Sequence, residues 1–170
     1  MTGPEPKSAT LIAAEPTTVL PWELVRDVLR DTRLYWLATV HPVGRPHVRP
    51  VLAIWLDGAL YSTSTSTSRK GRNLAADPRC TVTARADSMD VVLEGTATRV
   101  TSEAALDQVA QAYRAKYNWP VTVTGGAFDA PYGAPTAGSP PYYPYEITPV
   151  TVFGFGTADE DGGRTTRYRF

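Results

Sequence analysis

The stretch best suited to chemistry is Tyr61–Val82, YSTSTSTSRKGRNLAADPRCTV. It reads as a strand end, a hydroxyl-rich loop, a basic helix start at Ser68-Arg69-Lys70, and an Asp77-Pro78 stop before the next strand. A helix N-terminus behind such a loop offers backbone N–H groups, hydroxyl donors and a favourable dipole to an anion. Arg69 and Lys70 put fixed positive charge at the same place, so the implied guest is a phosphate. The same residues also describe an ordinary surface helix with a serine N-cap and solvated basic side chains.

A second group lies just upstream, on a strand expected over Pro46–Leu56. Side chains alternate along a strand, which puts His47, Arg49, Val51, Ala53 and Trp55 on one face. A solvent face would account for the charges, a pocket wall for the apolar residues among them. No metal centre is expected: His41 and His47 are the only histidines, and Cys80 has no partner at ligand spacing. The serines near Ser64 sit in no glycine-flanked elbow, and neither a dinucleotide fingerprint nor a P-loop is present. A phosphate anchor beside a basic and aromatic strand, without acid/base machinery, points to a bound cofactor carrying the chemistry.

The totals narrow the classes. Seventeen Lys+Arg balance seventeen Asp+Glu in 170 residues, which argues against nucleic acid or a membrane surface as partner. Between Arg69 and Arg85, however, five basic residues face Asp77 alone, a local anion site within a neutral chain. One cysteine leaves no internal disulfide and fits a reducing, cytoplasmic setting. No apolar run approaches the ~20 residues of a membrane span. Residues 1–18 lack the features of a signal peptide and are expected to be a loose arm, with one domain over 19–170.

The elements that must position these groups follow from periodicity. Pro21 and the spacing of Trp22, Val25, Val28 and Leu29 predict a helix over 21–32. Strands are expected at Leu34–Val40, Pro46–Leu56, Ala59–Thr63, Arg79–Arg85, Asp90–Val100, Tyr145–Gly156 and Thr165–Phe170, with Pro149 marking an edge or bulge. Ser102 caps a helix striped by Leu106, Val109, Ala110 and Tyr113 and ending near Tyr117. Asp159-Glu160-Asp161-Gly162-Gly163 is expected to be an acidic turn. Residues 118–144 interleave six prolines and four glycines with Phe128, Tyr132, Tyr142 and Tyr143. That segment reads as an insert without regular structure, either disordered or a lid. Six or seven mostly antiparallel strands with flanking helices suggest a mainly β, α+β domain built on a barrel.

Four segments in this order, GRPHVRPV (Gly44–Val51), SRKGRNLAADPR (Ser68–Arg79), VVLEGTA (Val91–Ala97) and Thr166-Arg167-Tyr168-Arg169-Phe170, resemble the split-barrel flavin and deazaflavin oxidoreductases related to pyridoxamine 5′-phosphate oxidase. The resemblance implies a six-stranded antiparallel split β-barrel of the FMN-binding type, paired as a homodimer with two cofactor sites at the interface. It places Arg69 and Lys70, with Ser68 or Ser64, on the cofactor phosphate. Arg49, Pro50 and Val51, with Ser62 and Thr63, would lie along the ring system, and Asn73 at the cofactor tail. Asp90, Val91, Arg167, Tyr168 and Arg169 would approach from the other subunit. Trp36 and Trp55 would be packing walls.

Two departures shape the functional expectation. Where the B6 oxidases carry a lysine five residues after the strand arginine, this chain has Ile54; where they end in Arg-x-His, it has no histidine. The Lys70–Leu74 pattern and the Arg-Tyr-Arg-Phe ending look more like the actinobacterial branch that uses the 5-deazaflavin coenzyme F420. The implied activity is hydride transfer from the reduced deazaflavin to an electron-poor double bond or quinone-like small molecule, with Tyr168, His47 or water supplying the proton. An FMN enzyme of the same fold, a flavin or haem binder without turnover, and a purely structural barrel are the alternatives.

Overall fold

The computed structural model describes residues 3–12, 18–133, 137–157 and 163–170. Along them run β1 (Ser8–Leu11), α1 (Trp22–Asp31), β2 (Tyr35–Val40), β3 (Pro46–Val51), β4 (Ala53–Leu56), β5 (Ala59–Ser64) and α2 (Arg69–Ala76). They are followed by β6 (Arg79–Ala86), β7 (Met89–Arg99), α3 (Glu103–Tyr117), β8 (Thr122–Thr124), β9 (Ala127–Asp129), β10 (Tyr143–Gly156) and β11 (Thr165–Arg169). The fold is mainly β and antiparallel with three helices, the split-barrel architecture. Helix α1 begins directly after Pro21 and buries Trp22, Val25, Val28 and Leu29, as the spacing requires. The expected acidic turn falls mostly at residues 158–162, outside the described residues.

Nine strands share one sheet, where the sequence suggested six or seven. A continuous path runs β3-β2-β6-β7-β10-β5-β4, and its two ends, β3 and β4, are consecutive pieces of chain separated by Leu52. Strand β10 is the hub. One side pairs β7 along nearly its whole length; the other pairs β5 through Tyr143–Ile147 and β11 through Thr151–Phe155. The register shifts between Pro149 and Thr151, so Pro149 marks a bulge in a central strand.

Three expectations are corrected. Residues 8–11, assigned to a loose arm, form β1 and pair with β11 from Ser8↔Arg169 to Leu11↔Thr166. The strand expected over Pro46–Leu56 breaks at Leu52. Side chains from distant elements take up the backbone groups there: Tyr113 and Ser62 donate to the Leu52 carbonyl, Tyr117 and Lys116 to the Ala53 carbonyl, and the Ala53 N–H donates to Tyr117 Oη. Finally, the described part of the 118–144 segment has regular structure. Gly125 and Gly126, both at positive φ (60° and 75°), close a β8–β9 hairpin, and Phe128 bridges to Tyr142 through two backbone hydrogen bonds.

Apolar side chains collect in two clusters. One lies between the sheet and α1 and includes Leu37, Val82, Leu93, Val152 and Tyr168. The other joins α3 to the insert through Leu106, Val109, Tyr113, Trp119, Phe128 and Tyr142, with Ile54 and Tyr61 from β4 and β5. Ile54, standing where a phosphate-binding lysine was looked for, is 2% exposed in that second cluster.

Candidate active site

Helix α2 starts as its residue types dictate. Ser68 Oγ accepts from the Gly71 N–H at 3.0 Å, the expected N-cap, and lies 2.7 Å from Ser64 Oγ. Gly71 is held tightly against the loop: a Cβ there would come within 2.2 Å of the Thr65 carbonyl oxygen. The hydroxyl loop and the helix start therefore form one compact unit, with Arg69 and Lys70 on its first turn.

A cavity of about 370 Å³ opens beside this unit. His47, Arg49, Pro50, Val51 and Leu52 from the β3 region, Thr63 from β5, and Ser68, Arg69 and Lys70 line one part of it. Tyr117 and Trp119 at the end of α3, with Tyr132, Gly133, Ala137 and Tyr142, line the rest. No carboxylate is among these lining residues. Arg49 Nη1 donates to the Val48 carbonyl at 2.9 Å, and Arg69 Nη1 lies 3.3 Å from His41 Nε2.

The electrostatics follow from that lining. Burial lowers the Lys70 pKa, and among the described residues no acid pairs with it. A partly desolvated ammonium without a counter-charge is a site for an anion. The His47 pKa is also lowered, first by burial and then by Arg49, Arg69, Lys70 and Arg45. Its Nδ1 sits 3.4 Å from Thr39 Oγ1.

Arg49, Pro50, Val51, Thr63, Ser68, Arg69, Lys70 and His47 are thus brought together, with Ser64 supporting Ser68 from behind. Others lie elsewhere. Asn73, expected at a cofactor tail, is fully buried, and its Nδ2 donates to Thr39 Oγ1 at 3.0 Å; it pins α2 to β2. Ser62 is 3% exposed, and its hydroxyl serves the Leu52 break. Val91 and Tyr168 point into the core at 1% exposure each. The Tyr168 hydroxyl donates to the Leu20 carbonyl, its ring packs 5.2 Å from that of Trp22, and burial pushes its pKa up to about 12. Tyr168 is therefore a core group and no proton donor to this cavity.

None of the lining residues is Asp90, Arg167 or Arg169, which share the outer face of the sheet. Pro50, Trp36, Thr83, Val92, Phe153 and Arg167 form one row of directly paired positions across it, and Asp90 lies 3.5 Å from Arg85 on the same side. Trp36 is 49% exposed in that row, so it walls no pocket, whereas Trp55 packs edge-on to Trp22 beside the core. Tyr117, Trp119 and Leu52 are lining residues that sequence reasoning passed over. The aromatic density of 117–143 was the signal for the two aromatic ones, and no local pattern marks Leu52.

The sequence profile described as pyridoxamine 5′-phosphate oxidase matches residues 21–155, which span the anchor, the sheet and the insert. The chain belongs to this family. No curated protein matches it. Among solved structures, a haem-binding protein from Mycobacterium smegmatis superposes with a TM-score of 0.67 at 21% identity, over 89% of this chain and 60% of that one. A FAD-binding protein from Mesorhizobium loti gives 0.58 at 19% identity, over 95% and 99% of the two chains. An F420 reductase gives 0.54 at 20% identity, over 75% and 94%. This chain thus shares its fold with proteins named for different cofactors. Among the described residues no metal-binding cluster is found, and no helix is long and apolar enough to cross a membrane.

Proposed function

We propose that this chain is an oxidoreductase that holds a deazaflavin, coenzyme F420, by its phosphate and reduces an electron-poor double bond or quinone-like small molecule. The observation that carries the reading is the cavity itself, where Arg49, Arg69, Lys70 and a serine-capped helix start converge with no carboxylate in the lining. The cofactor, when bound, supplies a hydride from C5. Ser68, Arg69 and Lys70 hold the phosphate, and that remote binding energy fixes the ring. Arg49 places positive charge where an anionic ring is produced or consumed. His47 lines the cavity, and burial with the cations around it lowers its pKa, which favours the uncharged imidazole; in this reading water delivers the proton that follows the hydride.

Exposed Arg45 and Arg72 favour the deazaflavin, whose anionic tail FMN lacks. Arg45 is close enough to act on His47, and Arg72 lies one turn beyond Arg69 on α2. FMN is the second reading, because the phosphate anchor suits both and Asn73 is not available to a tail. A homodimer is part of the proposal. Trp36, Val48 and Val150 are exposed on the sheet, and Phe153 and Phe155 stack beside them, an apolar face that a second copy would cover while bringing Asp90, Arg167 and Arg169 to its neighbour's site.

Titration with F420 and with FMN, followed by quenching of the tryptophans, tests the cofactor. Micromolar binding of F420 with weaker binding of FMN is the expected result; binding of neither overturns the reading. Sedimentation of the protein at micromolar concentration tests the dimer.

A further inference from the structure

We infer that Tyr117 and Tyr132, backed by the buried rings of Trp119 and Tyr142, form a preformed aromatic wall that takes one face of a planar conjugated ring. The inference rests on the proposed function for the identity of the anionic end, and on the insert alone for the wall.

The polar atoms of the wall are already committed. Tyr117 Oη donates to the Ala53 carbonyl at 2.7 Å, and Trp119 Nε1 donates to the Tyr132 carbonyl at 2.7 Å. Tyr142 Oη donates to the Gly138 carbonyl at 2.7 Å, and Tyr132 Oη to the Asn118 carbonyl at 3.3 Å. No donor is left over for a ligand, so whatever lies against these rings meets only their faces and edges. A sugar, a peptide or a polar chain placed there would give up hydrogen bonds to water and find no donor to replace them. A flat conjugated ring loses little and gains stacking.

The wall is also built in advance. Trp119 packs edge-on to Tyr113, with centroids 5.6 Å apart, and tilted to Tyr142 at 5.5 Å. Tyr113 is fully buried, and its hydroxyl serves the Leu52 and Tyr61 carbonyls. The paired backbone bonds between Phe128 and Tyr142 fix the far end. Little ordering is then required on binding, which favours selection by shape. The cavity divides its labour: the α2 start and Arg49 read negative charge, and the insert reads flatness. The matching ligand is a planar conjugated ring, whether the ring of the phosphate-bearing cofactor or that of a substrate laid beside it.

The test is calorimetric titration of the full chain and of Tyr132→Ala and Tyr132→Phe with four probes: F420, FMN, inorganic phosphate and 1,4-naphthoquinone. Tyr132 is 57% exposed, so removing its ring leaves the buried aromatic cluster in place, which a melting temperature checks. Tyr132→Ala is expected to weaken at least one ring-bearing probe about tenfold, the scale of one lost stacking contact. Inorganic phosphate should bind as before, and Tyr132→Phe should behave as wild type. Weakened F420 or FMN puts the cofactor ring on the wall. Weakened naphthoquinone alone, on cofactor-loaded protein, puts the substrate ring there. If every ring-bearing probe binds Tyr132→Ala as tightly as wild type, the wall inference is overturned while the proposed function stands. If wild type binds naphthoquinone but neither phosphate-bearing probe, and Tyr132→Ala abolishes that binding, the wall stands and the proposed function falls.

Discussion

Replacing Lys70 by methionine should push binding and stability in opposite directions. Lys70 is partly buried on the first turn of α2, its pKa is lowered by that burial, and among the described residues no acid offsets it. The protein without ligand therefore bears the cost of desolvating a charge, and methionine, of similar length and apolar, removes that cost. A phosphate in the cavity reverses the balance. Two unit charges about 4 Å apart attract by ~1 kcal/mol in water and by ~4 kcal/mol at the effective dielectric of a protein surface. A half-buried contact falls between, and the hydrogen bonds to a charged group are worth about 1.5–3 kcal/mol. The expected loss is about 2 kcal/mol, roughly 30-fold in affinity for F420, FMN or inorganic phosphate. Calorimetric titration at low and high salt measures it, and the salt dependence should shrink in the variant. Thermal melts of the ligand-free protein should show Lys70→Met at least as stable as wild type. A variant that melts several degrees lower and binds phosphate unchanged would refute the reasoning, because Lys70 would then be a structural cation.

Three further outcomes follow from particular contacts. Lys116 donates to the Arg30 and Ala53 carbonyls and to Tyr35 Oη, and burial lowers its pKa to about 8. Between that value and an unfolded pKa of about 10.4 the unfolded chain holds more protons, so stability should rise with pH across this window. Lys116→Met should lack that rise, as melts at pH about 7 and about 10 would show. Tyr168→Phe strands the Leu20 carbonyl and should cost about 1–2 kcal/mol, a fall of roughly 2–8 °C in melting temperature, with cofactor affinity unchanged. A variant that keeps its stability and loses binding would return Tyr168 to the site. Gly71→Ala gains ~1 kcal/mol of helix propensity but drives a Cβ to within 2.2 Å of the Thr65 carbonyl oxygen. Net destabilisation with weakened phosphate binding is expected, and a stabilised variant with intact binding would show that the loop can give way.

What was legible in the sequence was local. The apolar spacing of Trp22, Val25, Val28 and Leu29 sets α1, and Ser68 caps α2 as the residue type prescribes. The alternation that puts His47, Arg49 and Val51 on one face survives as far as Leu52. There it fails, because the break is stabilised by Tyr113, Lys116 and Tyr117, some sixty residues away, and no local pattern reports that pairing. The family resemblance implies a ligand contact for Asn73, yet the packing of α2 against β2 turns it toward Thr39. Tyr168 stands between two arginines on a strand, so alternation puts either the arginines or the tyrosine inside, and only the register with Val152 decides it. The insert hid its hairpin behind its proline content, although Gly125-Gly126 between Thr122–Thr124 and Ala127–Asp129 is a hairpin signal.

The position of β10 has a consequence for how the chain is made. Strands β5 and β7 are complete long before Tyr143 leaves the ribosome, and each awaits the same late strand on one edge. During synthesis those edges stand open to pairing with any neighbouring nascent chain. Strand β7, MDVVLEGTATR, carries Asp90, Glu94 and Arg99 along its length, charges that discourage edge-to-edge association. The sheet is sealed only when β10 docks between them, bringing its bulge and the β11 pairing with it, so the synthesis of Tyr143–Gly156 sets how long the edges of the earlier strands stand open.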